Sequence, residues 1–266
     1  MIVFLNDTSF CHNGCVHLMN ILRDYYQPDI VLSQREKIIP VIDLPANSTV
    51  IINGEGTMHS DAPAATKMLK YGASAVARGH TVELINSVWQ RMSDEYVNII
   101  KTFRNVEFRE VLSLADAKVA GSIALDVSLH YDVPFEKKTT TSVCYGGIFG
   151  NGNPSLKIDW PYPTHRVDVF NSSWNDLVNE IRAADVIATG RHHEMYAALA
   201  ARTPVLTIPG NTWKNEGFFY TVDAPELVLN PTRANIEDTL NGKYDQCWKR
   251  VWDYLDNYNY KYKIKK

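Results

Sequence analysis

No apolar run in this 266-residue chain approaches the ~18 residues that a membrane-crossing helix requires. The four cysteines, Cys11, Cys15, Cys144 and Cys247, show neither paired C-x-x-C spacing nor the density of a disulfide scaffold, so they read as reduced thiols. An excess of charge is missing too. The formal net charge of -3 provides no general attraction to nucleic acid or to an anionic membrane. The first ten residues lack a basic n-region, a long apolar core and a cleavage signal, and a cytoplasmic protein is the expectation. A full GxGxxG, a Walker A loop and the zincin HExxH are all absent, which removes the strongest sequence signals for a dinucleotide, a P-loop phosphate or a catalytic zinc.

What is present is 45% hydrophobic content, enough for a substantial core, arranged as short apolar runs alternating with amphipathic stretches of helical length. Strands are predicted near 2–5, 30–32, 50–52, 81–85, 106–108 and 122–125, with helices near 16–26, 64–78, 94–103 and 112–119. A polar linker, 136–141, and a Gly/Asn-rich loop, 146–155, interrupt the order. A second series follows, with strands near 142–145, 166–169, 186–188, 205–208 and 227–229 and helices near 174–183, 194–201, 215–219 and 234–240. A terminal helix near 244–258 presents Trp248, Val251, Trp252 and Leu255 at helical spacing. The pattern predicts an α/β chain of two Rossmann-like domains, 1–135 and 136–266, facing a cleft. Ligands are expected beyond the carboxyl ends of the strands.

Several strand-to-helix turns carry polar groups suited to chemistry. After the run at 50–52 come Asn53, Gly54, Glu55, Gly56 and Thr57, then His59 and Asp61. The glycines allow main-chain N–H groups to face a ligand, and Glu55 and His59 offer an acid or base. His59 is the expected base because its ordinary pKa lies near neutrality, with Glu55 orienting it; Asp61, just ahead of Pro63, is the expected helix cap. After the strand at 186–188, Gly190 precedes Arg191, whose planar fork suits a carboxylate or phosphate, and the adjacent rings of His192 and His193 must diverge by about 100°. The next turn supplies Asn211, Thr212 and Lys214, a lysine beside a helix start that suits phosphate. Asp7 and His12 follow the first strand, and Arg109 ends the fifth. No metal site is expected, since His192-His193-Glu194 alone is a weak signal. Lys261, Lys263, Lys265 and Lys266, alternating with tyrosines, read as a solvated tail.

These turns together resemble the polysaccharide pyruvyl transferase superfamily, whose members are similar to GT-B glycosyltransferases. The likeness rests on NGEGTMH from Asn53, LINSVWQ from Leu84, FREVLS from Phe108, ADVIATGRHHEMYAALAARTPVL ending at Leu206, and GNTWKNEG from Gly210. It implies that Arg191 and Arg109 bind an anionic donor and that His193 acts as acid or electrostatic stabiliser; His192 stands where the family usually has an apolar residue. The expected activity is transfer of a pyruvyl or glycosyl group from phosphoenolpyruvate or a nucleotide sugar to a glycan hydroxyl, with no cofactor required. A variant of the same class acts on hydroxymethylated bases of viral DNA, a partner that calls for a basic groove. The alternative from another class is a non-catalytic carbohydrate- or nucleotide-binding module on the same fold.

Overall fold

The structure, a computed structural model, describes residues 1–33, 40–129, 143–147 and 164–262. The predicted linker at 136–141 and most of the loop at 146–155 lie outside these residues, as do Lys263, Lys265 and Lys266. The chain forms two compact units. The first holds Met1–Phe10, Met19–Val127 and, from the end of the chain, Lys261 and Tyr262; the second holds Cys11–Leu18 and the described part of Ser128–Tyr260.

The first unit is built on strands β1 (Ile2–Asp7), β2 (Ile30–Ser33), β3 (Thr49–Glu55), β4 (Thr81–Ser87), β5 (Asn105–Phe108) and β6 (Ser122–Ile123). They form one sheet in the order β2-β1-β3-β4-β5-β6 with every pair parallel. A parallel sheet needs crossover helices, which cover both faces and make its strands apolar along their length. Val3, Phe4 and Leu5, Val50, Ile51 and Ile52, and Leu84 and Ile85 are accordingly buried in consecutive runs. The helices are α1 (Asn13–Tyr26), α2 (Pro63–Ala77), α3 (Asp94–Ile100) and α4 (Val111–Ala117); the residues of α1 through Leu18 cluster with the second unit. This is a Rossmann-like α/β arrangement.

The second unit repeats the design on a smaller scale. Strands β7 (Val143–Tyr145), β8 (Thr164–Arg166), β9 (Val186–Thr189) and β10 (Val205–Thr207) form a parallel sheet in the order β10-β9-β7-β8. Its helices are α5 (Trp174–Arg182), α6 (His192–Ala201), α7 (Lys214–Thr221), α8 (Arg233–Leu240) and α9 (Asp245–Asn257). Both sheets start with the same topology: the second strand lies outside the first, and the third lies on the first strand's other side. The switch points are therefore β1/β3 in one unit and β7/β9 in the other. Among the described residues, no helix is long and apolar enough to cross a membrane.

Three local expectations are corrected. No strand forms at 227–229; Pro225–Leu227 makes one 3-10 turn, and only the Leu229 carbonyl joins the sheet edge, accepting from Thr207 N. The strand predicted at 166–169 lies earlier, at Thr164–Arg166. Lys261 is exposed but tethered rather than loose: its Nζ meets Glu107 Oε2 at 2.7 Å, and Tyr262 is buried with its hydroxyl donating to Glu107 Oε1.

The turn after β5 shows how the first unit satisfies buried charge. Arg109 and Asp126 are both completely buried, and Arg109 NH1 donates to Asp126 Oδ2. Glu110 caps α4 by accepting from Ser113 N and Ser113 Oγ, while Ser113 Oγ accepts from Trp89 N at 2.6 Å. Burial pushes the Glu110 carboxyl up to about 7. The first three polar positions of FREVLS are thus spent on structure. Asp126→Ala, which strands a buried guanidinium, is expected to lower unfolding free energy by about 3–5 kcal/mol. Chemical denaturation measures this directly, and a loss below about 1 kcal/mol would contradict the structural role, since that is all an exposed pair is worth.

Candidate functional site

At the switch point of the second sheet, β7 ends in Gly146-Gly147 and β9 ends in Thr189-Gly190, each pair at the carboxyl end of its strand. Backbone bonds from Gly146 N to Ala188 O and from Gly190 N to Gly147 O continue the pairing past both strands. Glu194, in the first turn of α6 and 1% exposed, reaches back into this junction. Its Oε2 accepts from Gly147 N at 2.9 Å and from Thr189 Oγ1 at 2.5 Å, and its Oε1 lies 3.5 Å from Val169 N. A side chain at Gly146 would collide with this carboxylate and come within 2.7 Å of Thr189 Oγ1, so only glycine admits the contact. Burial pushes the Glu194 carboxyl up to about 7 against the pull of these donors.

Thr189 Oγ1 also accepts from Arg191 N at 3.0 Å, which sets the residue opening α6. The Arg191 guanidinium lies 4.7 Å from the centre of the Phe170 ring, a cation–π distance, and is half-buried. The rings of His192 and His193 meet edge to face, with centres 5.4 Å apart and planes 82° apart, and take different partners beyond that. His192 turns to α7, its Nδ1 3.2 Å from Asn215 Oδ1, and packs on Tyr196. His193 turns the other way, to His12, with ring centres 4.7 Å apart.

His12 precedes α1, whose first turn is tied down by Asn13. Asn13 N donates to Val169 O at 3.2 Å, and Asn13 Nδ2 donates to Ser172 O at 2.6 Å. A Cβ at Gly14 would lie 2.6 Å from His193 Cβ, so the turn can rest on His193 only because that position has no side chain. Cys15 is buried, with Sγ 3.5 Å from His12 Nε2. Burial, with the added repulsion of Arg191 and Lys214, holds the His12 imidazole down to about 4, so it is neutral at neutral pH. Lys214 opens α7 and donates from Nζ to Asn211 Oδ1 at 3.2 Å; Thr212 between them is buried.

The structure therefore gathers His12, Gly190, Arg191, His192, His193, Asn211, Thr212 and Lys214 in the second unit. The other named residues stand in the first unit, mostly as scaffold. Asn53 is fully buried in a ladder across three strand ends: Asn6 Nδ2 donates to Asn53 O at 2.6 Å, Asn53 Nδ2 to Asn6 O at 3.2 Å and Asn86 Nδ2 to Asn53 Oδ1 at 3.0 Å. Asp7 accepts from Arg23 NH2 at 2.5 Å and from Ser9 N at 2.9 Å. Gly54 presses on the Ser87 side chain. In the turn that follows Gly56, Thr57 N donates to Gly54 O and Ser60 N to Gln90 O. Glu55 is buried at the end of β3 with φ +40°, and His59 is half-buried, bridged by backbone to Gln90. Asp61 does not cap α2, whose first residue is Pro63; it accepts instead from Ser93 N at 2.9 Å, at the head of α3. Arg109, buried against Asp126, is a structural cation. Sequence reasoning missed Glu194, Cys15 and Phe170; the His-x-x-Cys spacing of His12 and Cys15 was the one available signal.

No family model matches the chain, and no curated protein matches it. Among solved structures the chain is similar to a functionally uncharacterised protein of Klebsiella pneumoniae, at 14% identity and a TM-score of 0.55, over 82% of this chain and 86% of that one. The likeness is one of α/β fold.

The close rest of α1 on His193 makes a signed prediction. An alanine in a helix is ordinarily more stable than glycine by about 0.5–1 kcal/mol, whereas overpacking costs about 1–3 kcal/mol. Gly14→Ala is expected to destabilise the protein, as read by chemical denaturation; stabilisation would show that the first turn of α1 does not rest on His193.

Proposed function

We propose that the chain is a transferase that takes a pyruvyl or glycosyl group from an anionic donor, phosphoenolpyruvate or a nucleotide sugar, to a hydroxyl of a glycan or glycan precursor. One observation carries the reading: two adjacent strands, β9 and β10, run at their carboxyl ends into helices that open on a cation each, Arg191 at α6 and Lys214 at α7, beside the switch point of the sheet. Parallel α/β sheets bind ligands at that edge, and a helix N-terminus adds partial positive charge and unpaired N–H groups to the side-chain cations. The sequence resemblance implies the same role for Arg191.

In this reading Arg191 grips the donor's phosphate or carboxylate with its planar fork, held in place by Phe170 below and by the Thr189 bond to its backbone. Lys214 adds a point charge at the neighbouring turn, with Asn211 and Thr212 beside it. Transfer leaves negative charge on the departing phosphate, and His193 stabilises that charge or protonates the leaving oxygen. Glu194 touches no donor; it fixes the backbone from which Arg191 and His193 project. The DNA-directed variant draws nothing from Lys261, which is paired with Glu107.

A thermal-shift screen with phosphoenolpyruvate and UDP-, GDP- and CMP-sugars side by side identifies the donor, since a ligand that binds only the folded state raises the melting temperature. Arg191→Ala is expected to weaken the donor by about 1.5–3 kcal/mol with fold stability little changed, and Arg191→Lys to rescue poorly. His193→Asn should lower turnover by about 10² or more while donor affinity holds. If no anionic donor stabilises the wild type, or Arg191→Ala binds it normally, the reading fails; donor binding without turnover on any glycan would leave a binding module.

A further inference from the structure

We infer that His12, Cys15 and His193 form a binding site for a thiophilic divalent metal of the Zn2+ class. The three side chains converge in the second unit from the residue before α1, the first turn of α1 and the first turn of α6, and their ligand atoms all lie within 4.8 Å of one another. Zinc bound tetrahedrally at about 2.3 Å from sulfur and 2.0–2.1 Å from nitrogen places those two ligands about 3.5 Å apart. Cys15 Sγ and His12 Nε2 stand 3.5 Å apart. The third ligand, a ring nitrogen of His193, needs only a small side-chain adjustment to close on the same centre.

The local architecture holds these groups in place. His12 stands just before α1 and Cys15 in its first turn, and His12 Nδ1 accepts from Cys15 N at 3.4 Å, which holds the ring against that turn. Asn13, between them, is bonded to Val169 O and Ser172 O, and Gly14 brings the turn against His193. Cys15 is 2% exposed and His193 4%. One sulfur and two imidazoles, with no carboxylate among them, exclude the hard cations Mg2+ and Ca2+ and suit zinc, cobalt or copper. The neighbouring Arg191 and Lys214 oppose a cation, and the Cys15 thiolate offsets part of that repulsion. Three protein ligands also leave a fourth position open. With two cations beside it, that position favours an anionic fourth ligand over a neutral one. The metal site goes beyond the transferase reading and does not depend on it; with metal bound, His193 is a ligand and stabilises the leaving phosphate through the metal's charge rather than as a proton donor.

The test uses the full chain, treated with chelator and then titrated with Zn2+ against a chromophoric competitor, and separately with Co2+. The wild type is expected to bind one equivalent, and the cobalt form to show a thiolate-to-metal charge-transfer band with the visible bands of a four-coordinate ion. Cys15→Ser should abolish the charge-transfer band. His12→Gln and His193→Asn should each weaken Zn2+ by about 100-fold or more, since even partners outside the ligand shell are worth about 10- to 100-fold. Cys11→Ser and His17→Asn should change neither reading. Absence of stoichiometric binding or of the charge-transfer band in the wild type overturns the proposal without needing any variant to fold. Binding that survives Cys15→Ser and His193→Asn overturns it equally. Neither result touches the donor test on Arg191, so the two readings fail separately.

Discussion

A buried carboxylate governs the second unit. Glu194 has left water almost entirely, which is costly for a charged group unless hydrogen bonds replace its hydration. Its partners are backbone and hydroxyl groups from the ends of β7 and β9 and from the segment after β8, so a single side chain joins three neighbouring strand ends. Arg191, His192 and His193 project from the helix turn that this junction anchors. Were Glu194 unable to accept those bonds, Gly147 N would be left buried without its acceptor, at about 1–3 kcal/mol, Thr189 Oγ1 would keep only Gly147 O at 3.2 Å, and the turn holding the candidate ligands would lose its reference point.

The first unit meets the same problem differently. There the strand ends β1, β3 and β4 are joined by amide groups, Asn6, Asn53 and Asn86, and the buried charge is an ion pair, Arg109 with Asp126. Amides bonded to each other carry no net charge, and a closed ion pair has none to spare. The second unit keeps its cations, Arg191 and Lys214, at the openings of helices with a neutral imidazole, His12, among them. Two sheets that begin with the same strand order thus end in unlike edges, one joined by a ladder of amides, the other by the Glu194 carboxylate with a cation at each of two helix openings.

Most elements were legible in the sequence because burial on both faces of a parallel sheet writes itself as continuous apolar runs, and crossover helices as 3.6-residue periodicity. The runs at 50–52 and 186–188 became β3 and β9 with their ends moved by three residues or fewer. The apolar run at 227–229 misled because Pro225 favours a tight turn and the segment gives the sheet only one carbonyl. Site residues were harder to read, since a polar residue in a strand-to-helix turn has the same sequence appearance whether it binds a ligand or holds the backbone. Arg109 and Arg191 both follow a strand, and only the surroundings differ: Arg109 is completely buried against Asp126, 17 positions later, while Arg191 stays half-buried against Phe170. Glu194 was missed for the same reason, since Gly147 lies 47 positions from it in the chain, and Cys15 because only the fold brings His193 to it.

The dependence on Glu194 is open to one direct measurement: the stability of Glu194→Gln relative to wild type across pH. Glutamine keeps an acceptor oxygen for Gly147 N and Thr189 Oγ1 but cannot ionise. The wild-type carboxyl is raised from 4.5 to about 7 in the folded state. Its favourable contribution is therefore full below about pH 4.5 and is lost as pH rises through about 7. The variant's stability relative to wild type should accordingly climb across that window, by an amount on the order of 3 kcal/mol, and then level off. A flat difference, or one that falls as pH rises, would contradict this account, in which the burial of Glu194 outweighs the donors around it.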